Sequence, residues 1–444
     1  MTTFSRTLAI PVSNEDHLVV NFGNKKLYYS SKPESLVARP VQTGDSFTDY
    51  LSGERLFRMG EEQNAMRNFK EAMVLYRECL DKEPSHSEAL SRIAELYYRG
   101  GLYEEGLTYA RKVLEFSAYD GAANYIYGAL QDKLNRTNDA EEAFSIASRT
   151  MEYRSAAYAQ IAAIEIKKKN FETAVEYSRK SLDYNRYNLS AAGCLITANR
   201  KLGRKDDAKT ALQEILAIDP LNQYARFEQF LSFRTADAKK IFQSGIQNEF
   251  PQETYLEIAV QYANIGLEEE AIQVLEMAPA YPMVYYWLAY LNRNSHREQS
   301  EIYLNKAKAI SPRLVFPFRP ETLKVLDWAG LQGHSWKTEY YKGLIQWNNN
   351  NLAKAKELFL KCRDEPDYAP FYISRGILFS DEQLNNGLVL KDFKIAVSLH
   401  PEEWRTWNAL SNYYQARGSF PLQLATAGKA YQLFPANPVI SIDY

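Results

Sequence analysis

Alanine or glycine returns every 34 residues along the first half of the chain, at Ala72, Gly106, Ala140, Ala174 and Ala208. A second small residue keeps the same beat at Gly60, Ala94, Gly128 and Ala162. A period of this length fits a helix–turn–helix unit stacked on copies of itself. Small residues in register have a physical cause, because antiparallel helices approach closely only where a side chain is a hydrogen or a methyl group. In Ser87–Gly106, Leu90, Ile93, Ala94 and Tyr97 fall on one helical face, and Gly100-Gly101 closes the helix. The expected fold class is all-α, an α-solenoid of helical hairpins. Such an array has no single core to outgrow, so 444 residues need not divide into globular domains.

The chain is 45% hydrophobic and 24% charged, with a net charge of −2. It offers no overall basic field, so no nucleic acid partner is expected. The nearest basic run, Lys167-Lys168-Lys169, falls at the end of a unit's first helix, where cations complement the carbonyl end of the dipole. Cys79, Cys194 and Cys362 are odd in number and far apart, which implies neither a disulfide framework nor a zinc site. Cys79 and Cys362 sit where small residues pack between helices. No apolar run approaches the roughly 18 residues of a membrane span. Met1–Arg6 lacks the charged leader and apolar stretch of an export signal, so a cytoplasmic location is expected.

Residues 1–46 differ from the rest. Thr7–Val12, His17–Phe22 and Lys26–Ser30 read as short strands, the last two forming a hairpin across Gly23-Asn24, and Ser31–Ser46 reads as an extended link with Pro33 and Pro40. Residues 47–251 hold a first block of units starting near 53, 87, 121, 155 and 189, then a short, irregular unit at 223–251. Tyr76, Phe144 and Leu212 fill the large apolar position of the second helix, and Pro84 and Pro220 close two units. Middle units follow at 252–312, the first marked by Tyr255, Ala259, Tyr262, Gly266 and Ala271.

Residues 313–444 hold the remainder: a proline-rich break at Ser311–Pro320, a lone helix at Glu321–Leu331, and units near 336, 369 and 404 marked by Gly343, Ala355, Gly376, Pro401 and Pro435. The total is about ten hairpins. Pro312, Pro317 and Pro320 stop any helix from running through the break. Leu314, Val315, Phe316 and Phe318 are expected to be buried there, giving a fixed bend. The tail Ala436–Tyr444 reads as strand-like, folding back on Pro401–Ala416 or adding to a sheet.

The pattern L-x-x-I-A-x-x-Y at 90–97, the small residue at 106 and the terminal prolines resemble the tetratricopeptide repeat family over roughly residues 50–440. A narrower resemblance rests on the strand pieces followed by GERLFRMGEEQNAMRNFKEAMVLYRECL and on DPLNQYARFEQF at 219–230. These runs are similar to the repeat half of a bacterial family in which a mutarotase-like β-sandwich of unknown function precedes the repeats. That kinship would make residues 6–31 the last strands of such an arrangement and would imply sugar-linked associations.

No phosphate-binding glycine loop, H-E-x-x-H or G-x-S-x-G motif occurs. His17, His86, His296, His334 and His400 are scattered, with His86 and His400 at turns beside Pro84 and Pro401. Glu268-Glu269-Glu270 begins a second helix, where carboxylates favour the positive end of the dipole. No catalytic, cofactor-binding or metal-ligating set is therefore named, and no enzyme is expected.

Binding is what a solenoid offers. The family's groove positions read Glu54, Phe57, Glu61 and Asn64 in the first unit and Glu88, Ser91, Glu95 and Tyr98 in the second. The resemblance would place a C-terminal carboxylate there in chaperone-binding members, and an acidic groove repels one. Tyr286, Tyr290, Tyr340 and Trp347 are the candidate groove aromatics, suited to peptide or sugar and expected to face one ligand around the bend. The expected function is a non-enzymatic scaffold or adaptor for a protein or peptide partner. The alternative is a carbohydrate-linked module working with a mutarotase-like domain, and homo-oligomerisation is left open.

Overall fold

The computed structural model describes residues 7, 19–22, 27–30, 52–380 and 386–443. Near the N-terminus β1 (Val19–Phe22) pairs antiparallel with β2 (Leu27–Ser30), Val19 opposite Ser30 and Phe22 opposite Leu27. The strand expected at Thr7–Val12, apart from Thr7, and the link expected at Ser31–Ser46 lie outside the described residues.

The described remainder is helical and built as hairpins. The first block comprises α1 (Gly53–Ala65) with α2 (Phe69–Lys82), α3 (Ser87–Arg99) with α4 (Tyr103–Phe116), and α5 (Gly121–Lys133) with α6 (Thr137–Ala147). It continues through α7 (Met151–Lys167) with α8 (Phe171–Tyr184), and α9 (Leu189–Lys201) with α10 (Lys205–Ile218). The irregular unit is a true hairpin, α11 (Gln223–Phe233) and α12 (Ala236–Ser244), shortened by a tight link in which Arg234 takes φ 53°. Then come α13 (Pro251–Asn264) with α14 (Glu268–Leu275), and α15 (Pro282–Asn292) with α16 (Arg297–Ala309). The single helix α17 (Glu321–Leu331) follows the break. The array ends with α18 (Trp336–Asn348) and α19 (Leu352–Lys361), α20 (Ala369–Phe379) and α21 (Asn386–Leu399), α22 (Trp404–Ala416) and α23 (Phe420–Leu433), and the short α24 (Pro438–Asp443).

Three columns of residues make the hairpins alike. Ser52, His86, Asp120, Asn188 and Asn222 each accept a hydrogen bond from the backbone N–H three residues on, capping the first helix of their unit. In the turn between helices, Arg67, Gly101, Asn135, Lys169 and Gly203 all have φ between 59° and 75°. The left-handed turn recurs whether glycine fills it or not, so the hairpin geometry imposes it. The third column is the helix crossing. A Cβ built on Gly60 would lie 2.5 Å from the Tyr76 ring, one on Gly343 2.6 Å from Phe359, and one on Gly376 2.5 Å from Phe393. Where the second helix carries an aromatic, the first gives up its side chain to admit it.

One continuous core runs from Ala162 to Tyr414 and passes through both the irregular unit and the proline break. At its centre Glu228, fully buried, accepts from Thr197 Oγ1 at 2.8 Å, Tyr262 Oη at 2.7 Å and Arg200 Nε at 2.6 Å. Polar bonds lock α9, α11 and α13 there, where the small-residue rhythm lapses.

The break is docked, in a different way from that expected. Pro312, Val315 and Pro317 are buried, whereas Leu314, Phe316 and Phe318 are exposed. In the extended stretch 315–318 successive side chains point to opposite sides, so seating Val315 and Pro317 turns Phe316 and Phe318 outward. Arg319 anchors the segment to Glu253 and Glu257 of α13, the latter at 3.1 Å. From there the chain returns to the early hairpins. Lys133 Nζ donates to Glu321 Oε1 at 2.9 Å, and Asn349 Nδ2 to the Gly100 carbonyl at 3.3 Å. A Cβ on Gly101 would stand 2.8 Å from Pro320. The array is thus curled far enough for its turns to meet across it.

The tail also departs from its reading. It is the helix α24 rather than a strand, because Asn437 caps the N–H of Ile440 at 3.3 Å and Pro438 suits the first helical position. It does fold back as expected, burying Ile440 against Trp407 and Ala430.

Candidate binding groove

The first helices of successive units carry their groove positions to a common concave side. Phe57 of α1, Ser91 and Tyr98 of α3, Tyr125 of α5 and Tyr153 of α7 line a cleft of about 770 Å³. Glu88, Glu95, Asp120 and Glu152 share its wall with Arg92 and Arg99. Both guanidiniums are consumed locally. Arg92 forks onto Glu61 at 2.9 Å and reaches Glu95 at 3.0 Å, and Arg99 bonds Glu95 at 2.8 Å. Asp120 is committed to its helix cap, while Glu88 and Glu152 are exposed. The cleft therefore presents aromatic rings under a surplus of negative charge. Burial pushes the hydroxyls of Tyr98, Tyr125 and Tyr153 above the usual phenol range, so they stay neutral donors.

A second cleft of about 770 Å³ follows, with Gln160 on the wall of both. It is lined by Ser190 and Cys194 of α9, Tyr224 of α11 and Glu253, Glu257 and Gln261 of α13. Arg319 reaches into it from the break and covers the two glutamates. The two clefts thus adjoin at Gln160 of α7, and the break contributes Arg319 to the second.

Of the positions read in the first two units, Phe57, Glu88, Ser91, Glu95 and Tyr98 line the first cleft. Glu61 is held by Arg92 and Tyr76, and Glu54 by Arg58 at 2.7 Å. The contributions of Tyr125, Tyr153, Asp120 and Glu152 went unread, although Phe57, Ser91 and Tyr125 stand 34 residues apart in one column.

The candidate aromatics of the C-terminal half do not form a shared face. Tyr286 is 0% and Tyr340 3% exposed, both inside the core. Tyr286 meets Tyr341 edge-on at 6.2 Å, and Tyr340 packs on Phe359 and Phe371. Tyr286 is thus buried against α18 and Tyr340 against α19 and α20, while α17 meets α15 at Trp287, whose Nε1 donates to Thr322 Oγ1 at 3.2 Å. Tyr290 is half-buried between Trp328 and the Arg293 guanidinium, 3.7 Å from its ring centre. Trp347 is half-buried against Phe359 and borders a shallow depression shared with Arg67–Glu71 of the first hairpin.

Among the described residues no group of three or more His, Cys, Asp or Glu is arranged to hold a metal ion, and no helix is long and apolar enough to cross a membrane. No curated protein matches the chain. Similar solved structures include MamA, 17% identical with a TM-score of 0.33, over 41% of this chain and 96% of that one. PilF of Pseudomonas aeruginosa is 18% identical with a TM-score of 0.40, over 49% and 95%. A tetratricopeptide repeat protein from Parabacteroides merdae is 13% identical with a TM-score of 0.37, over 67% and 98%. The tetratricopeptide repeat family model matches residues 155–188, one unit spanning most of α7 and all of α8. The chain is an α-solenoid of helical hairpins that carries a tetratricopeptide repeat.

Proposed function

We propose that the protein is a non-enzymatic scaffold whose concave groove holds an extended segment of a partner protein, and that this segment is basic with apolar side chains. The observation that carries the reading is the first cleft, where tyrosines stand beside Glu88 and Glu152 and both arginines are already spent on Glu61 and Glu95. Neutral phenols on a fixed helical wall give contact area at low entropic cost, and the exposed carboxylates of Glu88 and Glu152, engaged by no arginine or lysine among the described residues, select cations. The carbohydrate-linked alternative draws on the narrower family resemblance and on four aromatics, two of which are core residues here. The peptide reading is therefore preferred.

A fluorescein-labelled peptide of arginine, serine and leucine tests it by anisotropy. Binding that falls about tenfold in the Glu88→Lys/Glu152→Lys variant supports the groove. Binding unchanged by that double reversal removes it.

A further inference from the structure

We propose a second docking surface, for an acidic segment bearing aromatic or aliphatic residues, on the edge where the second to fifth hairpins turn into one another. It starts from a break in the capping column. Position 154 should hold a small polar cap like Asp120 before it and Asn188 after it, and it holds arginine. α7 accordingly begins a turn early, at Met151 with Thr150 as its cap residue. Arg154 then lies across the preceding turn, donating to the Ser148 carbonyl at 2.9 Å and the Arg149 carbonyl at 3.0 Å, with its guanidinium 4.9 Å from the Tyr184 ring centre.

The neighbouring turns extend the same ledge. Arg149 stands over Tyr119 at 6.0 Å and Arg186 over Tyr187 at 4.7 Å. Tyr119 is 72% exposed, Met151 73%, Tyr184 54% and Tyr187 57%. Beneath them the turn is fixed, because Asn188 Nδ2 donates to Ser155 Oγ at 3.0 Å and to Ser181 Oγ at 3.2 Å. Exposed tyrosines with arginines across their faces make a surface of interface-core composition.

Charge decides the occupant. Elsewhere arginines are paired across units, Arg92 of α3 with Glu61, and Arg136 and Arg204, in the turns inside their hairpins, with Glu104 and Glu172. Among the described residues Arg149, Arg154 and Arg186 pair with no carboxylate, although Glu152 and Asp183 stand on the same edge. Three guanidiniums without a counter-charge fit carboxylates supplied from outside, and the rings beside them fit apolar side chains.

A fluorescein-labelled peptide of alternating glutamate and phenylalanine, titrated against the full-length protein, is the test. Saturable binding is expected, weakening with added salt. It should fall about tenfold in the Arg149→Glu/Arg186→Glu variant, since truncated interface arginines commonly cost that much. Neither side chain supports the fold, and an unchanged thermal melt verifies this. The groove variant Glu88→Lys alone, on α3 at the start of the second hairpin, should retain binding, so failure of the groove and failure of this ledge are read separately. No saturable binding, or binding indifferent to the arginine reversal, would overturn the proposal. Tighter binding of an oligothymidine than of the acidic peptide would overturn it in favour of nucleic acid.

Discussion

Lys133 and Glu321 lie 188 positions apart in the chain and meet at 2.9 Å, tying the third hairpin to the lone helix α17. Both are largely shielded from solvent, beside the Tyr98 and Tyr103 rings. Burial raises the Glu321 carboxyl, but Lys133 outweighs it and holds the group below its usual range. A carboxylate with a depressed folded pKa adds stability that is complete above its unfolded pKa and lost as pH falls through the folded one. The clasp should hold at neutral pH and loosen on acidification below the unperturbed value of 4.5. Glu321→Gln should cost about 2 kcal/mol at neutral pH, between the worth of an exposed pair and a buried one. It should also flatten the acid limb of the stability curve, followed by chemical denaturation across pH.

The left-handed turn column makes a prediction of opposite sign. Lys169, with φ 65°, occupies the position that glycine fills at Gly101 and Gly203. Lys169→Gly should stabilise the fold by about 1 kcal/mol by relieving the Cβ clash. A thermal melt shifted upward checks it, and a downward shift would mean that the turn does not set the residue.

Much of this architecture was legible because it is local and periodic. The small-residue columns, the helix end at Gly100-Gly101 and the helix Glu321–Leu331 were readable from the sequence. What was not legible is the contact that periodicity cannot encode. Nothing around Tyr286 announces that Tyr341 of α18 will pack on it, since an apolar first helix reads alike whether its groove side is open or filled. Phe316 and Phe318 misled for another reason. In an extended stretch, hydrophobicity does not say which alternate side faces in, and the prolines took the inner places. Tyr125 was within reach, one period beyond Ser91.

Arg375 is 2% exposed and forks onto the fully buried Asp392 at 2.8 and 2.7 Å, joining α20 to α21. Removing one partner strands the other charge. Arg375→Ala should therefore cost about 3–5 kcal/mol, whereas Arg375→Met with Asp392→Leu should cost much less. Denaturant midpoints of the single and double variants measure the difference.

The three cysteines should be inert in the folded protein. All are free and buried, and burial pushes their thiols up, Cys79 to about 11 and Cys194 and Cys362 to about 12. The thiolate is the reactive form, so a thiol reagent at neutral pH should label none of them until denaturant is added. Rapid labelling of the native chain would show that a hairpin opens readily.

The groove itself is best tested by a photo-reactive cross-linker attached at Ser91→Cys, on the wall of the first cleft, and at Glu214→Cys, on the exposed face of the second helix α10. Binding of a partner segment in the groove predicts that cross-linked peptides recovered from the native host carry a basic excess at Ser91→Cys and are absent at Glu214→Cys. Equal capture at the two sites, or acidic segments at Ser91→Cys, would contradict it.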